Sequence, residues 1–139
     1  NCAGYAIQTA LAEVFALGIK GGVEPLALWE AVRQGAIGRR GAFESLTDQV
    51  PRDKYEPPAF ALRLAHKDVS LATALGREVN VPMRMANIAL SDLQEALNRG
   101  WGDIDSRAIM KLQVERAGVK IAVDPQRISE ALEGKHKRT

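Results

Sequence analysis

Lys67 and Asp68 stand side by side in the stretch Phe60-Ala61-Leu62-Arg63-Leu64-Ala65-His66-Lys67-Asp68-Val69-Ser70-Leu71-Ala72. An ammonium beside a carboxylate can bind an anion, hold a substrate group in place or move a proton, depending on how deeply it is buried. Phe60, Leu64, Leu71 and Ala74 recur at spacings of four, seven and three, so on a helix they share one face, and Lys67 falls in the middle of it. A lysine there either carries its ammonium out to water along its aliphatic stem or holds a partner inside. Burial would disfavour the charged form and lower its pKa. A second candidate is Gly38-Arg39-Arg40-Gly41, two guanidinium groups framed by glycines. Such a segment can hold a carboxylate or phosphate through paired hydrogen bonds, or simply be a solvated basic loop.

Other chemistries lack their residues. His66 and His136 are far apart and have no acidic or cysteine companions, so a metal site is not expected. Cys2 is the only cysteine, which rules out an internal disulfide and is compatible with a reducing, cytoplasmic setting. Neither a glycine-rich dinucleotide fingerprint nor a phosphate-binding loop occurs.

The elements that must position these groups read as helices. Residues 2–20 form a first helix, apolar or small around so much of its circumference that it should be buried on more than one side, as a central helix or at a dimer interface. Gly21-Gly22 ends it, and Pro25 opens a second helix that closes at Gly35. Residues 35–42 read as a glycine-rich loop and 42–50 as a short helix with Phe43, Leu46 and Val50. The helix bearing Lys67 runs over about 59–79, with Asn80 as a left-handed cap. Residues 83–99 follow, with Met85, Ile88 or Ala89, Leu93 and Leu97 inward. Asp103 or Asp105 caps a helix over 106–117. Val119–Val123 is an extended arm or short strand, Asp124-Pro125 starts a last helix, and Gly134–Thr139 is a basic tail. The expected fold is all-α, a compact bundle of six to seven helices over residues 1–134, with 135–139 as the tail.

The 139 residues fit one domain with enough apolar content, 46%, to bury a core. A net charge of +2 is too small to suggest nucleic acid, and no apolar run is long enough to span a bilayer. The chain starts without methionine inside a helical pattern, so the expectation is a domain of something longer.

The pattern Tyr55-x-Pro57-x-x-Phe60-x-Leu62-x-Leu64-x-x-Lys67-Asp68-Val69-x-Leu71-Ala72, followed by Val81-Pro82, closely resembles the C-terminal domain of the β-hydroxyacid dehydrogenase family, which includes 3-hydroxyisobutyrate dehydrogenase. Ala12-Glu13-Val14-Phe15-Ala16-Leu17 with Gly22-Val23-Glu24, and Gly100-Trp101-Gly102-Asp103-Ile104-Asp105-Ser106-Arg107-Ala108, also match its motifs, with Arg107 in place of a serine. The resemblance implies the 6-phosphogluconate dehydrogenase C-terminal-like fold, paired in family members with a Rossmann domain that would hold NAD or NADP and is absent here. It implies a substrate cleft between the halves and a homodimer. Asn1 falls on the asparagine of the catalytic signature, and the catalytic lysine would lie one turn upstream of the chain. Phe60, Lys67 and Asp68 would line the cleft: Lys67 against the cofactor or substrate carboxylate, Asp68 positioning its neighbours, Phe60 excluding water. Where many members place serine and glycine, this loop reads Ala36-Ile37-Gly38-Arg39-Arg40, and one of the two arginines would read a second carboxylate or other anionic group.

The resulting expectation is part of an NAD(P)-dependent oxidoreductase for a small 3-hydroxy acid or its semialdehyde, inactive by itself and with neither nucleic acid nor membrane as a partner. Two alternatives compete with it. One is a non-catalytic helical dimerisation or adaptor domain, and the other is an imine reductase of the same architecture.

Overall fold

The structure, a computed structural model, describes residues 2–44, 46 and 48–134. Among these there are seven α-helices, and the sole β-type pairing is an isolated bridge between Ala61 and Asp105. The all-α expectation therefore holds. The helices are α1 (Cys2–Lys20), α2 (Pro25–Gln34), α3 (Ala36–Glu44), α4 (Leu62–Glu78), α5 (Arg84–Asn98), α6 (Met110–Arg116) and α7 (Pro125–Gly134), with a 3₁₀ turn at Ser106–Ile109 before α6.

Local chemistry explains several ends. Glu24 caps α2 by accepting from the Ala27 amide at 2.8 Å, and Pro25 occupies the first turn, where its missing N–H costs nothing. Asn80 adopts φ 57 after α4, as its side-chain type allows. Asp124 accepts from the Gln126 amide at 2.9 Å at the start of α7.

Residues 36–40 are helical, not a loop. Gly35 ends α2 in an extended conformation, and the Arg39 amide donates to its carbonyl at 3.0 Å, so a new helix starts at once. Gly38 is present for closeness: a Cβ there would lie 2.1 Å from the Arg33 carbonyl oxygen. The break comes at Gly41, whose φ of 66 lies in the left-handed region that glycine tolerates. Leu46 and Val50 pack into the core from turns rather than from a helix over 42–50.

The main core joins Val50, Tyr55, Leu62, Leu93, Ala96, Ala108 and Leu112. A smaller cluster gathers Leu17, Val81 and Met83 where α1 meets the α4–α5 connection. Helices α4 and α5 form the principal packed pair. Gly76 lets α4 approach this connection, because a Cβ there would sit 2.4 Å from Met83 Cγ and 3.1 Å from the Val81 carbonyl. On α5, Leu93 is buried and Ala89 half-buried, whereas Ile88 faces out.

Helix α1 departs from the expectation of burial on more than one side. Leu17 alone is buried among its described side chains, and Tyr5, Ile7, Val14 and Ile19 are exposed. The main contacts of α1 within the chain are with α2, α4 and α5. Its Glu13 makes a tertiary cap. The carboxylate accepts from the Met85 and Ala86 amides at 2.8 and 3.2 Å, and α5 has no side-chain cap of its own. Replacing Glu13 by Ala should cost about 1 kcal/mol of stability, the usual worth of a helix cap. Amide exchange should accelerate first at Met85 and Ala86. Uniform acceleration over the whole chain, or none, would show that the contact is not a cap.

Candidate functional site

The segment before α4 is built on one carboxylate. Asp105 is fully buried. Its Oδ2 accepts from the Ala59 amide at 2.9 Å and the Phe60 amide at 3.3 Å, and its Oδ1 accepts from the Arg107 amide at 3.0 Å. The Arg107 guanidinium closes the arrangement at 3.0 and 3.1 Å from the two oxygens. The backbone continues the seam: the Leu62 amide donates to Ile104 O and the Arg63 amide to Gly102 O, both at 2.9 Å, while Ser106 N donates to Phe60 O. Helix α4, whose N-cap Ala61 offers no side-chain acceptor, is thus started by residues forty positions downstream.

Burial pushes the Asp105 carboxyl upward, but the hydrogen bonds from Arg107, Ala59 and Phe60 outweigh it and hold the group below the ordinary aspartate range. Arg107, read in sequence only as a departure from a serine, is the counter-ion that lets this carboxylate stay charged inside.

Phe60 therefore lies outside the helix that the sequence places it on. Asp105 takes the Ala59 and Phe60 amides that would otherwise begin the helix, and α4 starts at Leu62. The stripe around Lys67 is also the outer face of α4. The inward face consists of Leu62, Ala65, Val69, Ala72, Thr73 and Gly76, buried or packed on the two clusters. Leu71 is 62% exposed, Phe60 42% and Leu75 40%. The inward face mixes the small Ala65, Ala72, Thr73 and Gly76 with Leu62 and Val69, while Leu71 and Leu75 face outward.

Lys67 stands on that outer face with its ammonium in the open, 3.0 Å from Asp68 Oδ1, both side chains more than half exposed. Of the two options for this lysine, the structure takes the solvent-facing one. Lys67, Asp68 and Phe60 all belong to the exposed side of the α4 region. Arg39 is exposed on α3. Asn1 and the side chain of Arg40 lie outside the described residues. No group of three metal-ligating side chains occurs among the described residues, and no described helix is long and apolar enough to cross a membrane.

This geometry gives a helix whose outer face presents large apolar side chains and one ion pair. Residues 4–113 match the family described as the NAD-binding domain of NADP-dependent 3-hydroxyisobutyrate dehydrogenase, and the chain belongs to that family. Among curated relatives it is similar to the 2-(hydroxymethyl)glutarate dehydrogenase of Eubacterium barkeri, at 31% identity over 83% of this chain and 38% of the relative. It is also similar to the glyoxylate/succinic semialdehyde reductase 1 of Arabidopsis thaliana, at 31% identity over 76% of this chain and 36% of the relative. In fold it is similar to an imine reductase from Pseudomonas sp. (TM-score 0.69, 14% identity, covering 79% of this chain and 38% of that one). A reductive aminase from Aspergillus terreus, in complex with NADPH4, cyclohexanone and allyl amine, gives a TM-score of 0.64 at 19% identity, covering 80% of this chain and 39% of that one. The chain thus spans well under half the length of these relatives.

Asp105→Ala should cost about 3–5 kcal/mol, because it strips a buried charge pair of one partner. The pH dependence has a definite sign. The folded-state pKa is depressed, so the stabilisation is present above the unfolded value of about 3.9 and is lost as pH falls through the folded one. Thermal melts from neutral to acid pH should show the wild-type advantage over Asp105→Asn shrinking below about pH 4. A gap that stays constant through that range would remove the carboxylate's charge from the explanation.

Proposed function

We propose that this chain forms the substrate-side wall of an NAD- or NADP-dependent oxidoreductase acting on a small 3-hydroxy acid or the matching semialdehyde. The observation that carries the reading is the outer face of α4, where the Lys67–Asp68 pair sits among Phe60, Leu71 and Leu75. A surface of this kind suits a cleft wall. Its apolar residues exclude water when the opposite half closes, and exclusion of water strengthens the one charged pair left inside.

When bound, the nicotinamide supplies the hydride acceptor or donor. The residues of this chain fit that partner and its substrate by charge. The Lys67 ammonium attracts a cofactor phosphate or a substrate carboxylate, Asp68 fixes where that ammonium stands, and Phe60 covers the reacting face. Asn1 orients the substrate, and a lysine one helical turn further upstream exchanges the alcohol proton as general acid and base. One of the two guanidinium groups, Arg39 or Arg40, serves a second carboxylate. The substrate of the Eubacterium relative, by its name, is a dicarboxylic acid bearing a hydroxymethyl group, which supports this assignment.

In this reading residues 1–134 make the substrate-binding and dimerisation unit, with 135–139 as a basic tail. The exposed Tyr5, Ile7, Val14 and Ile19 of α1 meet a second copy. Catalysis then requires the cofactor-binding half, and the assembled enzyme works in the cytoplasm.

The test uses the full-length protein that carries this chain. With NAD and NADP and a panel of hydroxy mono- and diacids, turnover should depend on Lys67. Lys67→Ala should lower kcat/KM about a hundredfold, and Arg39→Ala or Arg40→Ala should raise KM for diacids about tenfold while sparing monoacids. Turnover of hydroxy acids that ignores Lys67→Ala would return this lysine to the solvent. Turnover of cyclic imines alone would transfer the chemistry to imine reduction.

A further inference from the structure

The turn at Asp53, helix α6 and the segment after Gly118 meet in a region whose lining includes none of Phe60, Lys67, Asp68, Arg39 and Asp105. A cavity of about 350 Å³ lies between the turn at Asp53 and Tyr55, helix α6 and the segment after Gly118. That volume is within the range of ligand pockets, about 300–1,000 Å³. Val114, Val119, Ile121 and Ala122 give it an apolar wall, and Lys111, Lys120, Asp53 and Glu115 are its charged lining residues.

Lys111 is held unusually well for a surface lysine. Its Nζ lies 5.4 Å from the ring centres of both Tyr55 and Trp101, within cation–π range of two aromatic faces at once. Its ion pair with Asp53 is long, 3.6 Å, which leaves N–H donors for another acceptor. The two carboxylates and two ammonium groups of the lining balance, but the carboxylates have partners: Asp53 pairs with Lys111 and Glu115 with Arg99, which it shares with Glu95, whereas Lys120 makes no ion pair among the described residues. Burial, then the charges of Asp53 and Asp105, push the Tyr55 phenol upward, so it stays neutral and adds no competing negative charge.

The roof is a segment tethered at its ends. The Val119 amide donates to Val114 O at 3.1 Å and the Val123 amide to Pro51 O at 2.7 Å. Between them Ile121 remains exposed, as do Val119 and Val123. Three β-branched side chains left half in water beside a charged cavity have apolar area still to bury.

We propose that this cavity binds a small amphipathic monoanion, a carboxylate with a short aliphatic tail: the carboxylate between Lys111 and Lys120, the tail against Val114, Val119 and Ile121. The test is a titration of the intact chain with hexanoate, followed by amide chemical shifts, with hexan-1-ol as the uncharged comparison. Saturable shifts centred on Val114 and Val119–Ala122 are expected. Lys120→Gln should weaken binding about threefold and Lys111→Met about tenfold, and the alcohol should bind at least about fivefold more weakly. If Lys111→Met loses its dispersed spectrum, Lys120→Gln and the alcohol comparison decide. No saturable shift, equal affinity for the alcohol, or shifts centred on Lys67 and Leu71 instead would each overturn the proposal.

Discussion

The backbone donors just before and at the start of α4 have to be satisfied, and the rest of the site depends on how this is done. The amides of Ala59 and Phe60 go to Asp105, and those of Leu62 and Arg63 go to the carbonyls of Ile104 and Gly102. A fully buried carboxylate can do this only while it is charged and paired, and Arg107 provides the pairing. The arrangement fixes two things together: the place where the helix begins, and the side of it that faces out. Shifting the start of α4 by one residue would turn Lys67 by about 100° around the helix axis and take it off the exposed face.

The same economy governs α5. Neither α4 nor α5 carries a side-chain cap at its own N-terminus. Both are started by carboxylates distant in sequence, Asp105 for the approach to α4 and Glu13 for α5. Local caps would stabilise each helix without saying where it lies. A carboxylate from another element does both, because the bond forms only when the two elements are in register. Helix α1, which buries little of itself, is tied to the bundle at this point by Glu13 and by Leu17 against Val81 and Met83.

This division explains what could be read from the sequence. The positions of α2, α5 and α7 and the turn at Asn80 follow from signals within three or four residues: Pro25, Asp124, Asn80 and the apolar periods. Asp105 was legible as one of two candidate caps, but its bonds to Ala59 and Phe60 span more than forty residues, and no capping rule reaches so far. The α4 stripe misled for a related reason. Periodicity reports that large apolar residues share a face, not which way the face points. The true interior face was written in Ala65, Ala72, Thr73 and Gly76, residues whose smallness is the signal. Gly38 was similarly ambiguous, since close packing against Arg33 and loop flexibility both ask for glycine.

An outward apolar face on a precisely held helix is costly for a domain that stays alone in water, and this has a bearing on function. Phe60, Leu71 and Leu75 could have been polar without harm to the core, which does not use them. Their presence beside Lys67 and Asp68 fits the proposed wall, which another surface would cover during use. A covering surface would also change the ion pair. Exposed, the pair is worth little. Sealed from water against an anionic ligand, the same ammonium acts in a lower dielectric and becomes a specific recognition element. In the proposed function the fold supplies the position of this pair, and closure of the opposite half would supply the electrostatic strength.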